Sequence, residues 1–334
     1  MRRHGSHMLS STLSQSLILI LTLLTILTGS GVAQTEETSA RVHRFAASVV
    51  DLTHPLSDRI PVFPGSASLK VIQTTDDDDS YFLNRLELDE HTGTHVDAPV
   101  HFSGQRDVSQ ISVAQLVCPL VVIDVRQPCR RNADYEVTVA DIKAWEQQHG
   151  QLPADVLVAI RTGWEQKWDT PKAYVNEQKD DKPHFPGLSA EAAQYLAQRL
   201  IAGLAIDTLS VDPGISDDFP VHNILLAREI FHVENIANLA AVPPAGYVAM
   251  VCPLPIKGGS GSPARILAFP ASQLAAETSA GNDTESDAAA GAKHRPQVQT
   301  STGLGGAPAA RRNQDTETAT RGRTTQSDIA RPDE

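Results

Sequence analysis

Apolar residues gather along the chain in five short runs: 120–125 (LVVIDV), 155–161 (DVLVAIR), 203–209 (GLAIDTL), 246–252 (GYVAMVC) and 264–269 (ARILAF). Runs of this length and β-branched content predict buried strands. Between them lie helical patterns. Thr138 as N-cap and Gly150 as stop bound a helix over 139–149, Ser189 opens a second over 189–202, and a third covers 222–231. Strands alternating with helices predict an α/β domain. The Pro- and Gly-rich stretches 61–65 and 183–187 read as loops bordering a cleft.

The two ends differ from this middle. Residues 1–33 place Arg2 and Arg3 before an apolar run from Leu17 to Leu27 and a small-residue stretch ending Gly31-Val32-Ala33. That order predicts a cleaved secretory signal, and hence secretion or delivery to the secretory-pathway lumen. A run of about 11 residues falls short of the roughly 20 that span a bilayer, so no stable membrane insertion is expected. Residues 34–44 read as a linker. From 274 to 334 there is no Phe, Tyr or Trp, and Ala, Gly, Ser, Thr, Asn and Asp dominate. Such a tail buries too little surface to offset its ordering entropy and is expected to be disordered. One folded domain remains, residues 45–273.

Composition then narrows the function classes. With 41% hydrophobic and 20% charged residues in 334, the chain is globular rather than collagen-like or multi-spanning. Lys+Arg 28 against Asp+Glu 40 gives a formal charge of -12, and no basic block is interleaved with aromatics. Nucleic acid is therefore excluded as an expected partner. Cys118, Cys129 and Cys252 are too few for a disulfide framework, and the sequence leaves a Cys118–Cys252 pairing open. Neither a G-x-S-x-G elbow nor a Walker loop is present, which removes the usual serine-hydrolase and nucleotide-binding routes.

The densest chemistry is HTGTHVDAPVHF at 91–102, which holds three of the twelve histidines and a carboxylate. His91, His95, Asp97 and His101 are all odd-numbered, so an extended segment points them to one face. A helix would throw Asp97 about 160° from His95. An ideal strand separates His91 from His95 by about 13 Å, too far for one ion, so the segment must bend, and Gly93 is the residue that permits it. Imidazoles with a carboxylate and no thiolate suit Zn, Mn or Fe. Three protein ligands leave at least one position open for water.

These residues resemble the metal-dependent cyclase-like hydrolases that include bacterial kynurenine formamidase and isatin hydrolase. Their signature, H-x-G-T-H-x-D-x-P-x-H, is matched at every fixed position by residues 91–101. DLTHPLSDRIPVFPG at 51–65, IDTLSVDP at 206–213, FPVHNILLAREIFHVENIANL at 219–239 and GGSGSPARILA at 258–268 are similar to further blocks. The resemblance covers about 48–270. It implies a single α/β domain with a mixed, partly barrel-like sheet flanked by helices, in the swivelling β/β/α arrangement.

It also implies His91, His95 and Asp97 as metal ligands and His101 as acid/base. His222 and Glu234 complete a second metal position in two-metal members, with Asp97 and Glu234 bridging, so one or two ions of Zn or Mn are expected per chain. A homo-oligomer, dimer or tetramer, is implied likewise. On a continuous helix His222 and Glu234 would lie 120° apart, so the helix must end between them. Phe63 lies where the family places an aromatic against the substrate ring. His54, His232 and His184 read as structural, Asp76 to Asp79 as a solvated loop, and the glycines of 258–261 as a turn.

The expected reaction is hydrolysis of an amide-type C–N bond, aryl formamide or lactam, in a small aromatic substrate, by metal-activated water with a histidine acid/base. The alternatives are a cyclase, lactonase or lyase using the same metal, or a secreted metal-binding module without turnover.

Overall fold

Each of the five apolar runs becomes a strand in the computed structural model, which describes residues 36–274 other than Asp77. The expected leader at 1–33 and the tail at 274–334, apart from Leu274, lie outside the described residues. So does the linker at 34–35, while residues 36–48 are helical where a linker was expected. Among the described residues no helix is long and apolar enough to cross a membrane.

Among the described residues twelve strands form, β1 (Val50–Asp51), β2 (Lys70–Gln73), β3 (Asn84–Glu87), β4 (His95–Asp97), β5 (Val117–Asp124), β6 (Glu136–Val137), β7 (Leu157–Arg161), β8 (Gly187–Leu188), β9 (Gly203–Ile206), β10 (Phe231–Glu234), β11 (Tyr247–Pro253) and β12 (Gly261–Pro270). The main sheet runs β1-β12-β11-β5-β7-β9-β10-β4, and β4 pairs back onto β12, which closes it into a barrel. Within this sheet β5, β7, β9 and β10 are parallel and the other pairings antiparallel. The mixed, barrel-like α/β architecture is thus as expected.

Side-chain alternation divides two cores. Leu120, Val122, Leu157, Ala159, Ala205, Phe231 and Val233 pack inside the barrel with Val96, Ala249 and Ile266. Their neighbours Val121, Ile123, Val158, Ile160, Leu204 and Ile206 face outward, against helices. Three helices cover that face: α1 (Val139–His149), α2 (Ala190–Gln198) and α3 (Pro220–Leu226). α1 has the bounds its sequence predicts, with a reciprocal Thr138–Asp141 capping box and Gly150 at φ 91. α2 opens at Ser189, whose side chain accepts from the Ala192 N–H, but stops four residues early.

α3 also ends early. It was expected to span 222–231, yet Glu229 at φ 62 turns the chain, and Phe231 begins β10. Cys118 and Cys129 are buried and Cys252 exposed, all three as free thiols. In the β11–β5 register Cys118 faces Ala249 rather than Cys252.

Candidate metal centre

β4 and β10 are antiparallel neighbours, with His95 opposite Glu234 and Asp97 opposite His232. Val96 and Val233 occupy the positions between and point into the barrel. The four polar side chains therefore share the outer face, beneath α3, which brings His222 over them. The break between His222 and Glu234 that helix geometry demands is where α3 gives way to β10.

Only His95–Asp97 of the histidine-rich segment is strand. The expectation of one extended run is corrected here: Pro99 opens a 3-10 turn, Pro99–His101, which carries His101, and His91 sits in the turn before β4. Gly93, at φ 67, makes the bend. A Cβ there would lie 2.3 Å from Leu56 Cδ2, so its missing side chain leaves room for Leu56 rather than for the site.

Asp97 is the hub. Its Oδ1 lies 2.6 Å from His91 Nδ1 and 3.1 Å from His95 Nε2; its Oδ2 lies 3.4 Å from His222 Nε2 and 3.7 Å from His232 Nδ1. Glu234 places Oε2 3.4 Å from His95 Nε2 and Oε1 3.3 Å from His222 Nε2. The far nitrogens are held. His95 Nδ1 donates to the Gly93 carbonyl at 2.8 Å, and His222 Nδ1 meets Asp212 Oδ2 at 2.6 Å. That arrangement fixes the ring orientation and turns each Nε2 toward the carboxylates. His91 is engaged on both sides, its Nε2 3.0 Å from Ser260 Oγ.

The electrostatics are those of a cation site. Burial works against a charged His95, yet the Asp97 and Glu234 carboxylates outweigh it and lift the imidazole to about 9. Burial likewise opposes charge on Asp97, but the surrounding imidazoles hold it well below the usual carboxylate range. His95 Nε2, Asp97 Oδ2 and both nitrogens of His232 are buried with no hydrogen-bond partner. Orphaned donors of this kind are rare in native interiors. Two donors at about 2.1 Å from a tetrahedral ion stand about 3.4 Å apart. The Nε2-to-carboxylate separations of 3.1 to 3.4 Å fit a shared divalent cation. Among the described residues three donor trios keep their ligand atoms within 4.8 Å of one another: His95, Asp97, Glu234; Asp97, His222, His232; and His91, Asp97, His101.

The cluster opens into a cavity of about 230 Å³ whose wall includes Phe63, Phe102, Phe219 and Leu209. That is below the roughly 300–1,000 Å³ of drug-sized pockets and suits a small ring system. A larger groove of about 1080 Å³ runs past His54, Arg59, Trp168 and Lys172. None of the clustered donors lines it, so the smaller cavity is the chemical site. His101 faces that cavity, stacked on His91 with ring centroids 3.9 Å apart.

A model of the Cyclase family matches residues 50–213. Isatin hydrolase of Roseibium aggregatum is 33% identical over 240 residues, 66% of this chain and 91% of that protein. The chain belongs to the cyclase family. Kynurenine formamidase of Bacillus cereus is 28% identical over 224 residues, 66% of this cyclase-family chain and 97% of that relative. Isatin hydrolase A from Ralstonia solanacearum shares the fold with a TM-score of 0.65 at 32% identity, over 71% of the chain and 97% of that structure. Kinship and the clustered donors together make this cyclase-family member a metal-using enzyme of the hydrolase and cyclase type.

Sequence reasoning brought His91, His95, Asp97, His101, His222, Glu234 and Phe63 to one place, and the fold does so too. It missed others. His232 was expected to be a satisfied structural histidine, but it is fully buried among the donors and unpartnered. His54 stacks on Trp168 at 3.9 Å, and its buried Nε2 has no partner either. Asp212 lies in the IDTLSVDP block, where sequence reasoning assigns it no role. It accepts from the Val221 and His222 N–H groups at the start of α3 as well as orienting His222. The 258–261 turn also touches the site. A Cβ on Gly261 would stand 2.5 Å from His91 Cε1. His184 does not reach it, being held by Asp134 and Asp180.

Proposed function

We propose that the protein hydrolyses an amide-type C–N bond, an aryl formamide or a lactam, in a small aromatic substrate. The observation that carries this reading is the placement of His101. It stands beside the donor cluster and in the same aromatic-walled cavity, the position an acid/base needs.

The residues that would hold a divalent cation, Zn or Mn, are His91, His95, Asp97, His222 and Glu234. When bound, such an ion polarises a carbonyl and lowers the pKa of water. Phe63, Phe102 and Phe219 enclose the substrate ring and exclude bulk water. Burial pushes His101 down to about 4 against the pull of Asp97, so at neutral pH its ring is neutral and able to accept a proton. It takes that proton from the attacking water and returns it to the departing nitrogen, because an amine leaves poorly unless protonated.

Metal-loaded protein offered aryl formamides, isatin-type lactams and lactones tests the reading. Turnover of the C–N substrates, lost in His101→Ala with metal retained, is the expected result. Turnover of lactones alone would favour the cyclase or lactonase alternative.

A further inference from the structure

Asn235 follows Glu234 at the end of β10, with its backbone in the left-handed region at φ 54. Asparagine is enriched there among residues that carry a side chain. Its side chain meets the turn before β4, where Nδ2 donates to the Gly93 carbonyl at 2.9 Å. The same carbonyl accepts from His95 Nδ1 at 2.8 Å. A carbonyl oxygen has two lone pairs, and here the amide takes one and the imidazole the other. The backbone of Asn235 is pinned as well: its N–H donates to the Thr208 carbonyl at 3.0 Å, and its own carbonyl accepts from Thr94 Oγ1 at 2.7 Å.

The far end of the amide rests on Tyr174, in the short helix Pro171–Val175. The Tyr174 hydroxyl lies 3.0 Å from Asn235 Oδ1 and 3.0 Å from the Asp207 carbonyl oxygen, and its side chain is fully buried. The amide is set one way round, because the reverse would put Oδ1 against the Gly93 carbonyl, acceptor to acceptor. With both ends of its amide engaged inside the protein, Asn235 acts through His95 rather than on a substrate. We propose that Asn235, seated on Tyr174, is a positioning residue: it holds the Gly93 carbonyl so that the His95 proton stays on Nδ1 and Nε2 is left for the ion. Outer partners of this sort orient a ligating imidazole and set its basicity. This inference rests on the metal reading of the site above and on no particular number of ions.

The test is Zn²⁺ affinity by chelator competition for the unaltered chain, Asn235→Ala and Tyr174→Phe, together with NMR of the imidazole nitrogens in the zinc-loaded proteins. Asn235→Ala should weaken zinc about 10–100-fold, the cost of losing a ligand's outer partner, and Tyr174→Phe should weaken it less, in the same direction. In both variants the His95 Nδ1–H should exchange faster with solvent. Tyr174→Phe keeps the backbone and the packed ring, so it decides the matter if alanine at φ 54 prevents folding. A merely structural pair would lower the urea midpoint and leave zinc affinity and the His95 ring proton as they were. That outcome in Tyr174→Phe overturns the inference. An unaltered chain that takes no zinc overturns the metal reading, and this inference with it.

Discussion

His95 and Glu234 face each other across the β4–β10 ladder, Nε2 and Oε2 3.4 Å apart, although 139 residues separate them in the chain. A one-residue slip in that register would turn both into the barrel and Val96 and Val233 out. The site therefore depends on the ladder as much as on its ligands. Glu234→Gln keeps an oxygen for the Val211 N–H, which Oε1 now accepts at 3.0 Å, so the variant should fold. Its affinity for Zn²⁺ should fall by more than about 100-fold, above the range for outer-shell changes, measured by chelator competition.

Asp212 acts one step further out. It is fully buried, accepts two N–H groups at the start of α3 and meets His222 Nδ1. Asp212→Asn leaves an amide where that imidazole needs an acceptor. Metal affinity should drop about 10–100-fold. Circular dichroism should show α3 retained, and unchanged metal binding would count against the role.

Gly93→Ala imposes two separate costs. The left-handed conformation at φ 67 is unfavourable for a residue with a Cβ by about 1–2 kcal/mol. The added carbon would also press on Leu56 Cδ2. Urea unfolding should show a loss of about 1–3 kcal/mol. Adding Leu56→Ala should relieve only the steric part, because the backbone strain remains.

Asp207 predicts a pH dependence. Burial, opposed by donors from Thr162 and Gly163, raises its carboxyl to about 6. The unfolded chain releases that proton near 3.9. The folded state therefore binds more protons between about pH 4 and 6, and this contribution to stability, present in full at lower pH, is lost as pH rises through 6. Two pKa units correspond to about 3 kcal/mol. Denaturant unfolding at pH 4.5 and 7.5 should give a smaller fall between the two for Asp207→Asn than for the unaltered chain.

Local signals were the legible part of this fold. Thr138 and Gly150 delimit α1 because capping and a glycine stop are decided within one turn. The five apolar runs became strands whether buried on both faces, as in β7 and β9, or alternating, as in β11 and β12, where Cys252 and Arg265 are exposed. What escaped were elements whose character is set by distant partners. β4 and β10 are three and four residues long, with one and two apolar residues, so Phe231 read as the last residue of a helix with Glu234 on the turn or strand after it, whereas the turn at Glu229 already ends the helix before β10. The closure of β4 onto β12 leaves no mark in either segment. His232 looked structural for the same reason, since only the register with Asp97 reveals what faces it. The signature residues were legible through their spacing, whereas Asp212 and Ser260 reach the site through contacts no spacing encodes.

The central claim is that Asp97 anchors a divalent cation. Elemental analysis of the unaltered chain and of Asp97→Asn, each reloaded with Zn²⁺ or Mn²⁺ and desalted, tests it most directly. At least one ion per chain in the first and none in the second is the predicted result. An unaltered chain without metal, or an Asp97→Asn variant that retains the full complement, would contradict it.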